Sequence, residues 1–83
     1  MTDESKRAEA LKRLTQVFRE VFDNDMLVIT ESTSADDIPD WDSLMQITLC
    51  VAAEREFNTR LNAAEIARLA NVGSWINLLV KTI

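Results

Sequence analysis

The chain has 83 residues, of which 47% are hydrophobic, and its 9 basic and 14 acidic residues give a formal net charge of −5. A chain of this length forms one small domain with a modest core, which excludes a large catalytic cleft, and its negative charge disfavours nucleic acid and anionic membranes as partners. The absence of histidine excludes Ser-His and Cys-His catalysis and leaves no credible zinc site.

The first predicted helix begins near Asp3 or Ser5 and ends at about Phe22. Apolar residues recur along it at the spacing of one helix face, and the basic residues lie mostly outside that face. The apolar stripe consists of Leu11, Leu14, Phe18, Val21 and Phe22. The polar run Asp23-Asn24-Asp25 ends the helix.

A long loop is predicted from residue 23 to residue 42. Its apolar run, residues 26–29, has strand character but no second strand to pair with, so we interpret it as a set of anchors that tie the loop to the core. Pro39 favours a loop because it lacks a backbone N–H and biases Ile38 away from helix. The loop contains seven acids and no base, whereas five bases lie in the first helix. The acids are Asp23, Asp25, Glu31, Asp36, Asp37, Asp40 and Asp42.

The second predicted helix follows the acidic loop. Leu44, Ile47, Val51 and then Phe57 fit one face of a helix, and Gln46 falls off that face. The single cysteine, Cys50, allows no internal disulfide, and we interpret it as a small apolar residue inside this helix.

Ser43 lies in the first turn of this helix. Asp42 is the predicted N-cap, because its short side chain can accept hydrogen bonds from the unpaired N–H groups of the first turn. Those N–H groups and the helix dipole favour an anionic substituent on Ser43, such as a phosphate ester. No base is suggested near the hydroxyl, so another protein would have to install the substituent.

Two further helices complete the pattern. The third is short, beginning near the cap-like Asn62 and ending around Leu69 or Ala70. Gly73 allows a turn and Ser74 can cap the fourth helix. The apolar face of that helix consists of Ile76, Leu79, Val80 and Ile83. The sequence thus predicts an all-α protein, a small four-helix bundle with a long loop between helices 1 and 2 and a short third helix, in a single domain of residues 1–83.

The motif Asp40-Trp41-Asp42-Ser43-Leu44, with the helix that continues to residue 57, resembles the acyl carrier proteins. In that family the serine of an Asp-Ser-Leu motif carries a 4′-phosphopantetheine arm. The loop sequence before the motif and the two helices after it are also similar to the family, so the resemblance covers nearly the whole chain. It implies a four-helix bundle of acyl-carrier type and no catalysis by the protein itself.

The same resemblance implies the cofactor and the partners. Ser43 would receive 4′-phosphopantetheine from coenzyme A through a phosphopantetheinyl transferase, and acyl-transferring or acyl-activating enzymes would then load and use the arm. Acidic loop residues including Asp40 and Asp42 would orient the basic surface of the transferase. The polar N-terminal sequence is not a signal peptide, and no apolar run approaches the roughly 20 residues that span a bilayer. We therefore expect a cytoplasmic monomer that uses no metal.

The resemblance also names residues for cargo and for partner recognition. Acyl chains in the family can fold back between the helices, and residues of the second, third and fourth helices either line such a pocket or simply fill the core. These pocket candidates are Leu44, Ile47, Val51, Ile66 and Ile76. The candidates for partner recognition are Asp40, Trp41, Asp42, Leu44, Met45 and Thr48. Trp41 either packs on the core under the loop or offers a flat contact beside the arm.

Three departures from the family pattern point to a dedicated pathway. Met45 and Thr48 stand where the best-known fatty-acid carriers have acidic residues, which removes charge from the helix face that contacts partners. The usual glycine ahead of the motif is also missing. These changes favour a specialised lipid, polyketide or secondary-metabolite pathway over a housekeeping fatty-acid synthase.

Other interpretations of the motif remain open. An aminoacyl or peptidyl carrier of nonribosomal peptide type shares the helices and the modified serine, although such carriers more often have glycines before the serine. In an unmodified helical adaptor, Ser43 would be only a residue of the first helical turn. A calcium loop is excluded because the central glycine and the final glutamate are absent, and a helix-turn-helix DNA binder is excluded by charge.

Overall fold

The computed structural model describes residues 3–83, and the structure within that range is helical with no β-strand. Its α-helices are α1 (Asp3–Val21), α2 (Ser43–Phe57), α3 (Ala63–Ile66) and α4 (Val72–Leu79), and two 3-10 helices span Ala35–Asp37 and Val80–Thr82. The prediction of an all-α protein with four helices, a long loop after the first and a short third helix is confirmed. None of these helices is long and apolar enough to cross a membrane.

The core lies where α1 packs against α2 and α4. Leu14 and Phe18 of the predicted α1 stripe are fully buried, and the other three residues of that stripe pack against the core from its margin. The buried residues from the other elements include Ile29, Leu49, Phe57, Ile66, Trp75, Ile76 and Leu79. The apolar faces predicted for the first and fourth helices therefore meet in one cluster.

The buried face of α2 differs from the predicted one. The expectation that Leu44, Ile47 and Val51 turn towards the core is wrong, because they are 69%, 58% and 45% exposed. Phe57, the fourth residue of the predicted face, is buried as expected, and the other residues that α2 buries are Leu49, Cys50 and Ala53. From residue 43 to residue 53 this helix carries no charged side chain, so apolar residues surround much of it and the spacing alone cannot identify the packed side. The burial expected for Cys50 is confirmed.

The long loop is held to the core at alternate positions. Asp23, with φ of 51°, ends α1 in the left-handed region, and the apolar run 26–29 follows. Ile29 is buried and Leu27 packs against the core, whereas Met26 and Val28 are 85% and 73% exposed. The interpretation of this run as anchors is therefore correct for two of its four residues.

The start of α4 is fastened to the loop by backbone hydrogen bonds. Gly73 N–H donates to Glu31 O at 2.7 Å, and Val72 N–H donates to Thr33 O at 2.8 Å. A Cβ at position 73 would lie 3.0 Å from Glu31 O, closer than most Cβ contacts, so glycine serves here for close approach and not for a turn. The N-cap is Asn71, whose Oδ1 accepts from Ser74 N at 3.0 Å, and the predicted Ser74 cap is wrong.

Arg7 of α1 contacts both the loop and α4 at this place. Its guanidinium forms an ion pair with the Glu31 carboxylate and donates to Asn77 Oδ1 at 2.6 Å. The hydrogen bonds that the Arg7 guanidinium donates to the Glu31 carboxylate hold the pKa of Glu31 below its ordinary value. Desolvation opposes this shift, and the positive charge of Arg7 adds a smaller lowering effect. Three separate segments, α1, the loop and α4, are thus linked through one side chain.

The short helix α3 begins as predicted and ends early. Asn62 Oδ1 accepts from Ala64 N at 2.8 Å and from Glu65 N at 3.2 Å, as expected for a cap. The helix ends at Ile66 and not at Leu69 or Ala70. After it, Arg68 N–H and Leu69 N–H each bond three residues back, which tightens the backbone into turns, and the Ile66 side chain is buried in the core.

Candidate functional site

Ser43 is the first residue of α2, and the residue immediately before it caps the helix. Asp42 is the N-cap in an extended conformation, and its Oδ1 accepts from Met45 N at 2.9 Å, as the sequence predicted. Ser43 is exposed, and its Oγ makes no hydrogen bond within residues 3–83. The hydroxyl is therefore open to solvent and to an enzyme that would modify it.

The electrostatics at Ser43 favour a negatively charged substituent. α2 has 15 residues, long enough for its aligned peptide dipoles to give a positive N-terminus, and no acidic residue lies in its first turn. The charge of Asp42 is directed at a backbone N–H of that turn, where it serves as the cap. A phosphate ester on Ser43 Oγ would meet this same positive end of the helix.

An open cleft of about 610 Å³ lies beside Ser43. One wall is formed by α2 and the residues just before it, and the other by α3 and the residue that follows it. The lining is mainly apolar and contains no basic side chain that could activate the serine. The lining residues are Ala35, Trp41, Asp42, Ser43, Gln46, Ile47, Ala64 and Ala67.

Trp41 connects this site to the core. Its ring is half-buried and packs edge-on against Phe18, with ring centroids 5.2 Å apart, and also contacts Trp75 at 6.5 Å. Of the two roles considered for Trp41, the structure shows the packing one. Its indole N–H also donates to Gln46 Oε1 at 2.5 Å.

Gln46 is a residue of the site that the sequence did not identify. While its Oε1 accepts from Trp41, its Nε2 donates to Ile66 O at 3.0 Å and so bridges α2 and α3. One feature of the sequence could have identified Gln46: it lies one turn after Ser43 and is the only amide side chain in an uncharged stretch of helix. Only the fold, however, places the Ile66 carbonyl opposite it.

The predicted recognition residues surround the serine on the surface. Asp40 and Asp42 are exposed, Leu44 is 69% exposed, and Met45 is half-buried. Thr48 is exposed one turn further along, with its Oγ1 donating to Leu44 O at 3.1 Å. A partner that approaches Ser43 along α2 would thus meet mainly uncharged side chains, next to a strongly acidic loop.

The five candidates for an acyl pocket are not brought together on one surface. Ile47 lines the cleft beside Ser43, whereas Leu44 and Val51 are exposed and do not line it. Ile66 and Ile76 are 1% and 0% exposed and belong to the core. A role in holding cargo stays a prediction for these residues.

Cys50 is the single thiol of the chain, and its surroundings make it a poor nucleophile. Its side chain is buried on the face of α2 that meets the core. Burial, and to a lesser extent the negative charge of Glu54, raises the pKa of the Cys50 thiol. A protonated, enclosed thiol reacts slowly, which leaves Ser43 as the exposed hydroxyl of the site.

Comparison with known proteins accounts for this arrangement. Residues 12–79 match the family model described as the phosphopantetheine attachment site. The solution NMR structure of a holo acyl carrier protein from Geobacter metallireducens superposes with a TM-score of 0.80 and 41% sequence identity, covering 88% of this chain and 84% of the other. None of the curated proteins compared with the chain matches it.

The matched region contains the cap, the exposed serine and the cleft described above. Proteins of this kind carry a covalently attached 4′-phosphopantetheine and are carriers, not catalysts. The chain therefore belongs to the phosphopantetheine attachment family and is an acyl carrier protein.

Proposed function

We propose that Ser43 Oγ is the attachment point of the 4′-phosphopantetheine arm, and that the protein carries acyl groups as thioesters in a specialised lipid, polyketide or secondary-metabolite pathway. The observation that carries this proposal is the exposed Ser43 hydroxyl, without a hydrogen-bond partner in residues 3–83, at the N-terminus of a capped 15-residue helix beside an open apolar cleft. The arm supplies a flexible tether that ends in a thiol, which holds the acyl group in an activated form.

The residues around Ser43 fit such a group. The N-terminus of α2 stabilises the negative charge of the phosphodiester, and Asp42 keeps that turn of the helix formed. The cleft offers the arm a mainly apolar surface that begins at the serine itself. The protein thus contributes a rigid attachment point and a place for the arm to rest, while its partners contribute the catalysis.

Recognition by partners has an acidic and an uncharged component. The exposed carboxylates of Asp40 and Asp42 attract a transferase with a basic surface, which increases its rate of association. Leu44, Met45 and Thr48 give the adjoining face of α2 an apolar character that favours acyl-handling enzymes with an equally uncharged contact surface. This face supports assignment to a dedicated pathway. We further propose that the protein acts as a single-domain cytoplasmic monomer.

The intact mass of the protein before and after incubation with coenzyme A and a broad-specificity phosphopantetheinyl transferase tests this proposal. The parent protein should gain the mass of one phosphopantetheine, and Ser43→Ala should gain none. Ser32→Ala is the matched control, because Ser32 is also exposed but lies in the loop, away from a helix N-terminus.

Circular dichroism of Ser43→Ala should show the helical content of the parent, since the hydroxyl makes no hydrogen bond with the described residues. A mass gain on Ser43→Ala would place the arm elsewhere. A folded parent that gains no mass would instead indicate an unmodified adaptor. Loading with amino acids in place of acyl groups, by an aminoacyl-activating enzyme, would favour the peptidyl-carrier alternative.

A further inference from the structure

The α2 and α3 walls of the cleft beside Ser43 are joined by a hydrogen bond at Ile66, a residue of the hydrophobic core. Ala64 and Ala67 line the cleft, whereas the Ile66 side chain between them is 1% exposed and points into the core. The Ile66 carbonyl accepts the hydrogen bond from Gln46 Nε2 at 3.0 Å. The bond therefore joins the α2 wall of the cleft to the α3 wall at the place where the core begins.

The orientation of the Gln46 amide follows from the chemistry of its two partners. An indole N–H can only donate and a backbone carbonyl can only accept, so Oε1 must face Trp41 and Nε2 must face Ile66. Trp41 is in turn held by edge-on packing against Phe18. The amide is thus fixed at both ends, one of them attached to the core.

α3 has little intrinsic stability and is held by its contacts with the rest of the protein. The helix has only four residues, too few for its own backbone hydrogen bonds to stabilise it, and its last residue provides the carbonyl that Gln46 binds. Ile66, which α3 inserts into the core, lies in the same cluster as Ile76 and Trp75. For an acyl chain to reach these residues from the cleft, α3 would have to move away from α2, which breaks the bond from Gln46 Nε2 to Ile66 O.

We propose that Gln46 is a specificity-determining residue that closes the core to the cargo. With the bridge from Trp41 through Gln46 to Ile66 in place, an apolar acyl group on the arm lies in the open cleft against Ile47 and not among the core side chains. This inference rests on the proposed attachment at Ser43. The carrier accordingly presents its cargo at the surface, where the cleft and the bridge limit the depth to which an acyl chain enters.

Three substitutions separate the parts of the bridge. Gln46→Ala removes both hydrogen bonds. Gln46→Glu keeps an acceptor for the Trp41 indole but cannot donate to the Ile66 carbonyl at neutral pH. Trp41→Phe keeps an aromatic ring against Phe18 and removes only the hydrogen bond from the indole N–H to Gln46 Oε1. Because the bond from Gln46 to the Ile66 carbonyl is the one that closes the core in this proposal, the two Gln46 variants should behave alike. Trp41→Phe, which loses one of the two anchors of the amide, should open the core less than they do.

The readout is the methyl NMR spectrum of isoleucine-labelled protein in the holo form and after loading with butanoyl or octanoyl arms. Ile47 reports on the cleft, whereas Ile66 and Ile76 report on the core. In the parent, the octanoyl group should shift the Ile47 methyl and leave the other two in place. In Gln46→Ala and Gln46→Glu it should also shift Ile66 and Ile76. The methyl shifts of each loaded protein are measured relative to the spectrum of the same variant in its holo form.

Two results would overturn the proposal. One is an octanoyl parent in which the Ile66 and Ile76 methyls shift as far as in the Gln46 variants, which would mean that the core is open with the bridge in place. The other is a folded Gln46→Glu whose core methyls do not respond to the octanoyl group. Failure of the attachment proposal is recognised separately, because the intact mass of the parent would then show no arm before any spectrum is recorded.

Discussion

The contact between Gly73 and the long loop gives a prediction in which two effects of opposite sign compete. Replacing glycine by alanine in a helix contributes up to about 1 kcal/mol of stability through propensity, and less than that in the first turn, where Gly73 lies. The added Cβ, however, would be 3.0 Å from Glu31 O and 3.3 Å from both Glu31 Cβ and Asn71 Oδ1. Two of these three atoms belong to the loop that α4 must approach closely.

The clash should exceed the gain in propensity. Inserting a methyl group into a tight contact costs roughly 1–3 kcal/mol, and displacement of the loop would also weaken the 2.7 Å bond from Gly73 N–H to Glu31 O, which contributes about 1 kcal/mol. We therefore expect Gly73→Ala to lose about 1–2 kcal/mol in net free energy of unfolding. In a domain of this size, each 1 kcal/mol lowers Tm by roughly 4–8 °C.

Urea unfolding followed by circular dichroism measures this loss. The control is Thr48→Ala, an exposed position on α2 where alanine meets no other segment, and it should stay within about 0.5 kcal/mol of the parent. A Gly73→Ala protein as stable as the parent, or more stable, would refute the reasoning, because it would show that the loop can move away from α4 at no cost.

Three further predictions concern charge and accessibility. Asp42→Ala should lose about 1 kcal/mol of stability, whereas Asp42→Asn should melt like the parent yet be loaded more slowly by the transferase, and identical loading rates would contradict the proposed role of its charge. Because Arg7 holds the pKa of Glu31 below its ordinary value, the small stabilisation by this pair is present above the unfolded-state pKa and is lost as pH falls through the folded-state pKa. The stability difference between the parent and Glu31→Gln should therefore shrink towards acid pH in urea titrations, and a constant difference would exclude the pair as its cause. Buried, and with its pKa raised, Cys50 should react with iodoacetamide much more slowly in the folded protein than in urea, and equal rates would mean that α2 opens readily.

The features that could be predicted from the sequence are the local ones. The α1 stripe repeats over several turns and has one clearly polar side, so its buried face follows from the spacing alone. The Asp42 cap and the position of Ser43 in the first turn likewise depend only on neighbouring residues. For this reason the candidate attachment point could be identified before the fold was known.

Features decided by tertiary contacts could not be predicted in this way. α2 is apolar on two sides, and packing against α1 selects Leu49 and Phe57 for burial while Leu44 and Ile47 stay exposed. Gly73 is explained by a loop that lies about 40 positions away in the chain, and a sequence window centred on the glycine cannot reveal such a contact. The same holds for Gln46, whose importance follows from a carbonyl 20 residues further along the chain.

The aromatic packing of Trp41 makes the protein its own optical reporter. The chain has two tryptophans and no tyrosine, so its ultraviolet emission comes almost entirely from Trp41 and Trp75. Trp75 is 1% exposed, with an indole N–H that has no partner among residues 3–83, and it should emit at short wavelength as a shielded ring does. Trp41 is half-buried beside Ser43, and its centroid lies 6.5 Å from that of Trp75, close enough for excitation to pass between the rings. An enzyme that docks on the loop next to Ser43 should therefore change the colour and intensity of this emission, so its binding can be followed in real time without an added label.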